Sequence, residues 1–195
     1  MILRNLRRGF SLVELMVAVA LFAFMAGGLA AFYGMAFGSQ YRRFADVGVA
    51  NGATLVRRSF DYALGSATYI QDPSTGTAAD LLTVWTNLDA DGASPLVAGA
   101  PVRYTTLCLD ASSLTVYSYQ GGFPKVDFAC GQSPAGVSRD ILAGGPGFRE
   151  ARLVFYRPEP NLVQMTCALD ITDARGIAHA AQVQAQATTS SHGQN

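Results

Sequence analysis

The sequence predicts an α+β protein: one long N-terminal helix, transmembrane in its first half, packed on a mainly antiparallel β-sheet domain. Three observations carry that reading. Residues Phe10 to Phe37 are apolar almost throughout. Apolar residues then recur with helix-like gaps as far as Leu64. From about Thr68 the pattern changes to short alternating runs broken by Gly, Pro, Asp and Ser, which is strand-and-turn chemistry.

The totals set the bounds. A chain of 195 residues holds one ordinary domain plus an anchor. It carries 14 Lys+Arg and 14 Asp+Glu and is neutral overall. Three of the bases, Arg4, Arg7 and Arg8, precede Phe10. The remainder is mildly acidic and has no basic block, which argues against nucleic-acid binding through a phosphate-neutralising patch. With 20 glycines and only 14% charged residues, the composition suits a loop-rich exported β domain.

The apolar run is long enough for a membrane. About 20 apolar residues cross about 30 Å of hydrocarbon, and Phe10 to Phe37 exceeds that. A secretory signal has an apolar region of only about 7–15 residues. Three arginines before the span and none within it predict a cytoplasmic N-terminus, with everything after Ser39 on the far side. One residue interrupts the run. Glu14 is a carboxylate placed one or two turns into the span, and an ionisable group inside a membrane is a functional candidate by default.

The stretch Gly9-Phe10-Ser11-Leu12-Val13-Glu14-Leu15, behind a short basic leader, resembles the cleavage and methylation signal of type IV prepilins and type II secretion pseudopilins. That resemblance implies cleavage between Gly9 and Phe10 by an inner-membrane prepilin peptidase, N-methylation of Phe10, and an assembly role for Glu14 as fifth residue of the mature chain. It also implies a pilin-like fold, in which a long helix packs on an antiparallel sheet. The physics agrees. Glycine lets an extended backbone approach a protease closely. Cleavage removes the three arginines and creates a positive amine one helical turn from Glu14. In a low-dielectric setting that amine and the carboxylate cost far less paired than apart. The pair forms within one subunit or between neighbours, where a buried polar group can set register.

The resemblance divides the chain into a cleaved leader (1–9), a transmembrane half-helix (10–38), an amphipathic outer half (39–66), a periplasmic β domain (67–189) and a disordered tail (190–195). In the outer half, Tyr41, Phe44, Val47, Leu55, Phe60 and Leu64 form the expected apolar face, with Arg42, Arg43, Asp46, Arg57, Arg58 and Asp61 between them. A helix from Ser11 to about Ala63 is about 80 Å long at 1.5 Å per residue. The glycines at 27, 28, 34, 38, 48 and 52 weaken it by about 1 kcal/mol each relative to alanine. They also permit close helix packing. Gly27-Gly28 is the expected place for a kink or a melted stretch, because no proline occurs before Pro73.

Beyond the helix, Asp72-Pro73-Ser74-Thr75-Gly76 reads as a loop. Strands are predicted at Leu81–Trp85, Val102–Leu109, Leu114–Tyr119, Ala151–Arg157, Leu162–Thr172 and Ile177–Thr188. The segment from Gly121 to Gly147 reads as irregular. In the last strand, His179, Ala181, Val183, Ala185 and Ala187 alternate with Ala180, Gln182, Gln184 and Gln186, so one face is polar.

Cys108, Cys130 and Cys167 lack zinc-site spacing. Cys108 and Cys130 could form a disulfide, closing a loop of about 20 residues and adding about 3 kcal/mol. Cys167 reads as a buried small apolar residue, and pairings of Cys167 with either partner stay open. Asn87-Leu88-Asp89-Ala90-Asp91-Gly92 half-matches a calcium loop through Asn87, Asp89 and Asp91, but Ala98 stands where a bidentate glutamate belongs. The competing reading is an ion-free polar turn, and no other cofactor is expected. No catalytic motif appears. His179 reads as a structural histidine rather than a base, and the chain as a non-enzyme.

The late segments, from Asp140-Ile141-Leu142-Ala143-Gly144 onward, resemble J-type pseudopilins and W-type minor pilins. The expectation is a minor pilin or pseudopilin of a type IV pilus or type II secretion filament, at or near the tip and priming assembly. Its partners are then other minor and major pilins or pseudopilins, the prepilin peptidase/methyltransferase and the inner membrane. It would reside as a single-pass inner-membrane protein before entering the filament. The alternatives are a single-span anchored periplasmic binding domain that never polymerises, or an anchored hydrolase.

Overall fold

The computed structural model describes residues 11–145, 147–172 and 176–189. The chain divides into two units, Met1–Arg43 and Phe44–Asn195, and one helix, α1 (Leu12–Gly65), contributes to both.

In the first unit the helix carries its apolar side chains on the outside, from Leu12 and Val13 through Phe32, Met35 and Phe37. The helix runs through Gly27-Gly28 without interruption, where the sequence predicted a kink or melted stretch. Glycine lowers helix stability but keeps its N–H, so unlike proline it removes no helical hydrogen bond.

In the second unit, α1 buries Val49, Ala53, Val56, Phe60, Ala63 and Leu64, a stripe of three- and four-residue steps. This corrects the predicted face. Val47 is 55% and Leu55 47% exposed, and among the described members of the expected set only Phe60 and Leu64 are buried. The side chains of Tyr41 and Phe44 lie outside the described residues. The reason for the shift is close approach. Gly52 is also buried, and a Cβ there would sit 3.0 Å from the Ala143 Cβ. A face of glycine, alanine and valine fits where larger side chains would not.

The strands are β1 (Tyr69–Asp72), β2 (Ala78–Ala79), β3 (Leu81–Thr86), β4 (Arg103–Asp110), β5 (Thr115–Gly122), β6 (Ser138–Ala143), β7 (Phe148–Glu159), β8 (Leu162–Thr172) and β9 (Ala178–Thr188). They form a five-stranded sheet, β1-β3-β4-β5-β6, and a four-stranded sheet, β2-β7-β8-β9. Every pairing is antiparallel. The helix stripe shares one core with Leu82, Leu107 and Val116 of the first sheet and Leu153, Phe155, Met165 and Leu169 of the second. Phe60 stacks on Phe155 at 6.1 Å.

β6 corrects the reading of residues 121–147 as irregular. Ser138 to Ile141 of β6 are exposed, so the strand has no alternation to read. Its backbone pairing with Tyr117–Gln120 defines it instead. β1 and β2, with 4 and 2 residues, are too short to show a period.

The other face of the five-stranded sheet is covered as well. Phe128 and Val137, from the segment after β5, pack on Trp85 and Tyr104 and on Tyr117 and Tyr119. The Cys108–Cys130 disulfide ties that segment to β4. The Tyr119 hydroxyl accepts from the Gly131 N–H and donates to the Gln132 carbonyl, both at 2.9 Å. Tyr104 lies over Gly121, opposite it on β5, where a Cβ would come 2.6 Å from the ring.

The β4–β5 turn rests on Asp110. Its carboxylate accepts from the Ser112 and Ser113 hydroxyls, each at 2.7 Å, and from the Ser112 N–H at 2.9 Å. Those bonds, led by the Ser112 hydroxyl, lower the Asp110 pKa from 3.8 to about 2. A carboxylate depressed in the folded state stabilises it fully above the unfolded value, and that contribution disappears as pH falls through the folded value. Carboxyl-carbon NMR should therefore place the Asp110 midpoint near 2. The pair Ser112→Ala/Ser113→Ala should return it toward 3.8.

Candidate functional site

The first turn of α1 places Glu14 by a reciprocal cap. Ser11 lies just before the helix, and its hydroxyl accepts from the Glu14 N–H at 3.2 Å. The Glu14 carboxylate reaches back and accepts from the Ser11 N–H at 3.1 Å through Oε2. Ser-x-x-Glu is the capping-box pattern, in which two orphan helix donors are satisfied at once. The carboxylate also opposes the positive end of the helix dipole. Glu14 is thus held in one place at the head of the apolar segment. Gly9 and Phe10, the predicted cleavage and methylation residues, lie outside the described residues.

Behind this cap, Leu12–Phe37 is 26 residues long, apolar enough to cross a membrane, and not buried within the protein. Such a surface needs lipid or other helices around it. A capped carboxylate followed directly by a spanning-length apolar helix is the local geometry. Residues 4–30 match the family model described as the prokaryotic N-terminal methylation motif.

The chain carries a prokaryotic N-terminal methylation motif.

The motif covers 27 of the 195 residues, including the three arginines of the leader, Gly9, Phe10 and Glu14. It is consistent with the type IV prepilin and pseudopilin family and supports a pilin-like or pseudopilin protein. Proteins with this motif are structural rather than enzymatic, and they associate with other pilin subunits and the prepilin peptidase. The apolar part of the motif agrees with single-pass membrane anchoring. The long apolar helix followed by antiparallel sheets is the α+β arrangement that the sequence predicted. No curated protein and no solved structure matches the chain.

The remaining candidate residues lie in the second unit. Asn87 accepts from the Val97 N–H at 2.7 Å and donates to the Val97 and Ala100 carbonyls at 3.2 and 3.0 Å. Asp89 accepts from the Ala93 N–H at 2.7 Å. These oxygens close the loop, as Asn and Asp do in turns. Among the described residues, no group of three or more His, Cys, Asp or Glu side chains is placed to hold a metal ion. Cys108 and Cys130 are joined, while Cys167 is free and buried. Burial pushes the Cys167 thiol up to about 11, so it stays protonated and unreactive.

His179 Nδ1 lies 2.6 Å from Asp46 Oδ1, tying the start of β9 to α1. The partners are 133 residues apart, and nothing local in the sequence signals the contact. The capping role of Glu14, by contrast, has a local signal. Ser11-Leu12-Val13-Glu14 is a capping box in plain sequence, eclipsed by the oddity of a carboxylate in an apolar run.

Proposed function

We propose that the chain is a minor pilin or pseudopilin, a structural subunit at or near the tip of a type IV pilus or type II secretion filament that primes its assembly. The observation that carries the reading is the methylation motif in register with a capped Glu14 and an unburied apolar helix. Residues 1–9 act as the leader, and Arg4, Arg7 and Arg8 hold the precursor's N-terminus in the cytoplasm. Residues 10–38 store the subunit in the inner membrane, and residues 67–189 lie in the periplasm.

The prepilin peptidase cuts after Gly9, and the new amine at Phe10 is methylated. In the cap, only Glu14 Oε2 is engaged. The other oxygen is left to pair with the new amine, its own or a neighbour's, once the leader leaves. Glu14 in this way guides docking, while the β domain supplies specificity toward the neighbouring subunits. The role is structural, and it calls for no cofactor.

Intact-mass measurement on membrane-extracted protein tests the reading. A chain beginning at methylated Phe10 is the expected result. Retention of Met1 in cells with an active prepilin peptidase overturns it and returns the chain to an anchored, non-polymerising domain.

A further inference from the structure

The donors taken by the Ser11–Glu14 cap decide where α1 begins. The first backbone hydrogen bond of the helix runs from the Leu15 N–H to the Ser11 carbonyl at 3.2 Å. In a helix begun one residue earlier, the Glu14 N–H would donate to the carbonyl of residue 10. It donates instead to the Ser11 hydroxyl. In a helix begun further upstream, the Ser11 N–H would donate to the carbonyl of residue 7. It donates instead to the Glu14 carboxylate. Two N–H groups that would carry the helix toward the N-terminus are thus taken by side chains, and the helix starts at Leu12.

The chain needs a stop here. A helix of 54 residues is already nucleated, and propagation adds one bond for each further residue fixed. Upstream the sequence reads Leu3-Arg4-Asn5-Leu6-Arg7-Arg8-Gly9-Phe10. Leucine and arginine are among the better helix formers, proline is absent, and only Gly9 disfavours a helix strongly. Asn5 offers another N-cap further back. Without Ser11 the helix has both the means and a place to continue.

The position of the stop matters for hydrolysis. A helical peptide bond has its N–H and C=O turned along the helix axis and engaged within it. An enzyme that pairs with substrate backbone needs an extended segment, and glycine admits it closely. Given Gly9–Phe10 as the cleaved bond, the reading proposed above, we propose that Ser11 is a positioning residue for leader removal. Its hydroxyl ends the spanning helix one residue short of Phe10 and so presents the Gly9–Phe10 bond to the prepilin peptidase as extended chain. Hydrolysis adds one water across that bond, leaving a carboxylate on Gly9 and an amine on Phe10. The motif then has three separate parts. Gly9 admits the enzyme, Ser11 keeps the helix out of its way, and Glu14 completes the cap before it meets the new amine.

The test follows the full-length chain by intact mass after a pulse of synthesis, in cells with an active prepilin peptidase. Ser11→Ala should slow leader removal about fivefold, the factor that a typical serine cap gives to its helix boundary. Two changes should restore the rate by different chemistry. Ser11→Asn caps without a hydroxyl. Ser11→Ala/Leu12→Pro has no cap, but proline suits the first helical position and drives the residue before it out of helical conformation. The Cys108–Cys130 disulfide reports a folded, exported domain, and the variants are compared where it has formed. In detergent micelles, the residue 10 Cα carbon shift of the uncut chain should move toward helical values in Ser11→Ala and return in both restored variants. A wild-type cleavage rate in Ser11→Ala, slowing that neither further change relieves, or slowing without that shift overturns the proposal. Each of these, with Phe10 correctly methylated in the wild type, leaves the filament reading in place. A wild-type chain that keeps its leader overturns both.

Discussion

Glu14→Ala is expected to leave cleavage at Gly9–Phe10 intact and to reduce assembly sharply. Two contributions are lost together. The carboxylate half of the cap, the bond from the Ser11 N–H, accounts for about 1 kcal/mol of helix stability. The ion pair accounts for more, because an unpaired charge left in a poorly solvated site costs several kcal/mol. Glu14→Gln separates them. Glutamine serves at the third helical position of a capping box as glutamate does, but it carries no charge. If docking depends on the pair, Glu14→Gln fails like Glu14→Ala while the helix stays intact. If only the cap matters, Glu14→Gln assembles normally. Filament or secretion assays beside intact-mass measurement provide the readout. Wild-type assembly in both variants removes the docking role. A subunit that assembles first has fewer neighbours to dock onto, so a partial loss points toward the tip.

Gly144→Ala is expected to be the most damaging single change in the β domain. Gly144 follows β6 directly and has a φ of +115°, a region that residues with a Cβ rarely occupy. A Cβ there would overlap the Leu114 carbonyl oxygen and lie 2.5 Å from the Thr115 Cα. Both are backbone atoms at the start of β5, so relief requires moving a strand. A loss of about 3 kcal/mol or more is expected, in the range where strain and steric conflict combine. That corresponds to a fall in melting temperature of about 10 °C for a domain of this size. Gly145→Ala is the control. Its φ is +110°, but a Cβ there meets nothing within 4 Å, so only backbone strain applies, about 1–2 kcal/mol. Thermal melting of the full chain in detergent micelles compares them. Equal effects would show that the clash is relieved at little cost.

The features legible in the sequence were those carried by neighbouring residues. The span, the Gly9–Glu14 motif and β8 are local patterns and can be read from one stretch of chain. The buried helix face is not marked by side-chain size. Val47 and Leu55 are larger than Ala53, yet the sheet selects by fit, and Gly52 lets it come close. β6 shows no alternation because its first four side chains face solvent, and its existence depends on β5. The Asp46–His179 contact joins the two ends of the second unit, and no spacing rule links residues that far apart. The cap at Ser11–Glu14 is also local, since Ser-x-x-Glu stands in the plain sequence and serves the helix as well as the membrane chemistry.

Gly27 and Gly34 differ by two helical turns, and Ala20, Ala23, Ala30 and Ala31 share their side of α1. The glycines carry no side chain although a Cβ at either would meet nothing within 4 Å, so the subunit's own fold does not require them. Phe22, Met25, Leu29 and Phe32 stand on the other sides. The rod therefore has a slim flank and a bulky one, and a neighbouring rod can approach the two to different depths. For any helix that packs on this span, closeness of approach is set by the absence of side chains rather than by any bond.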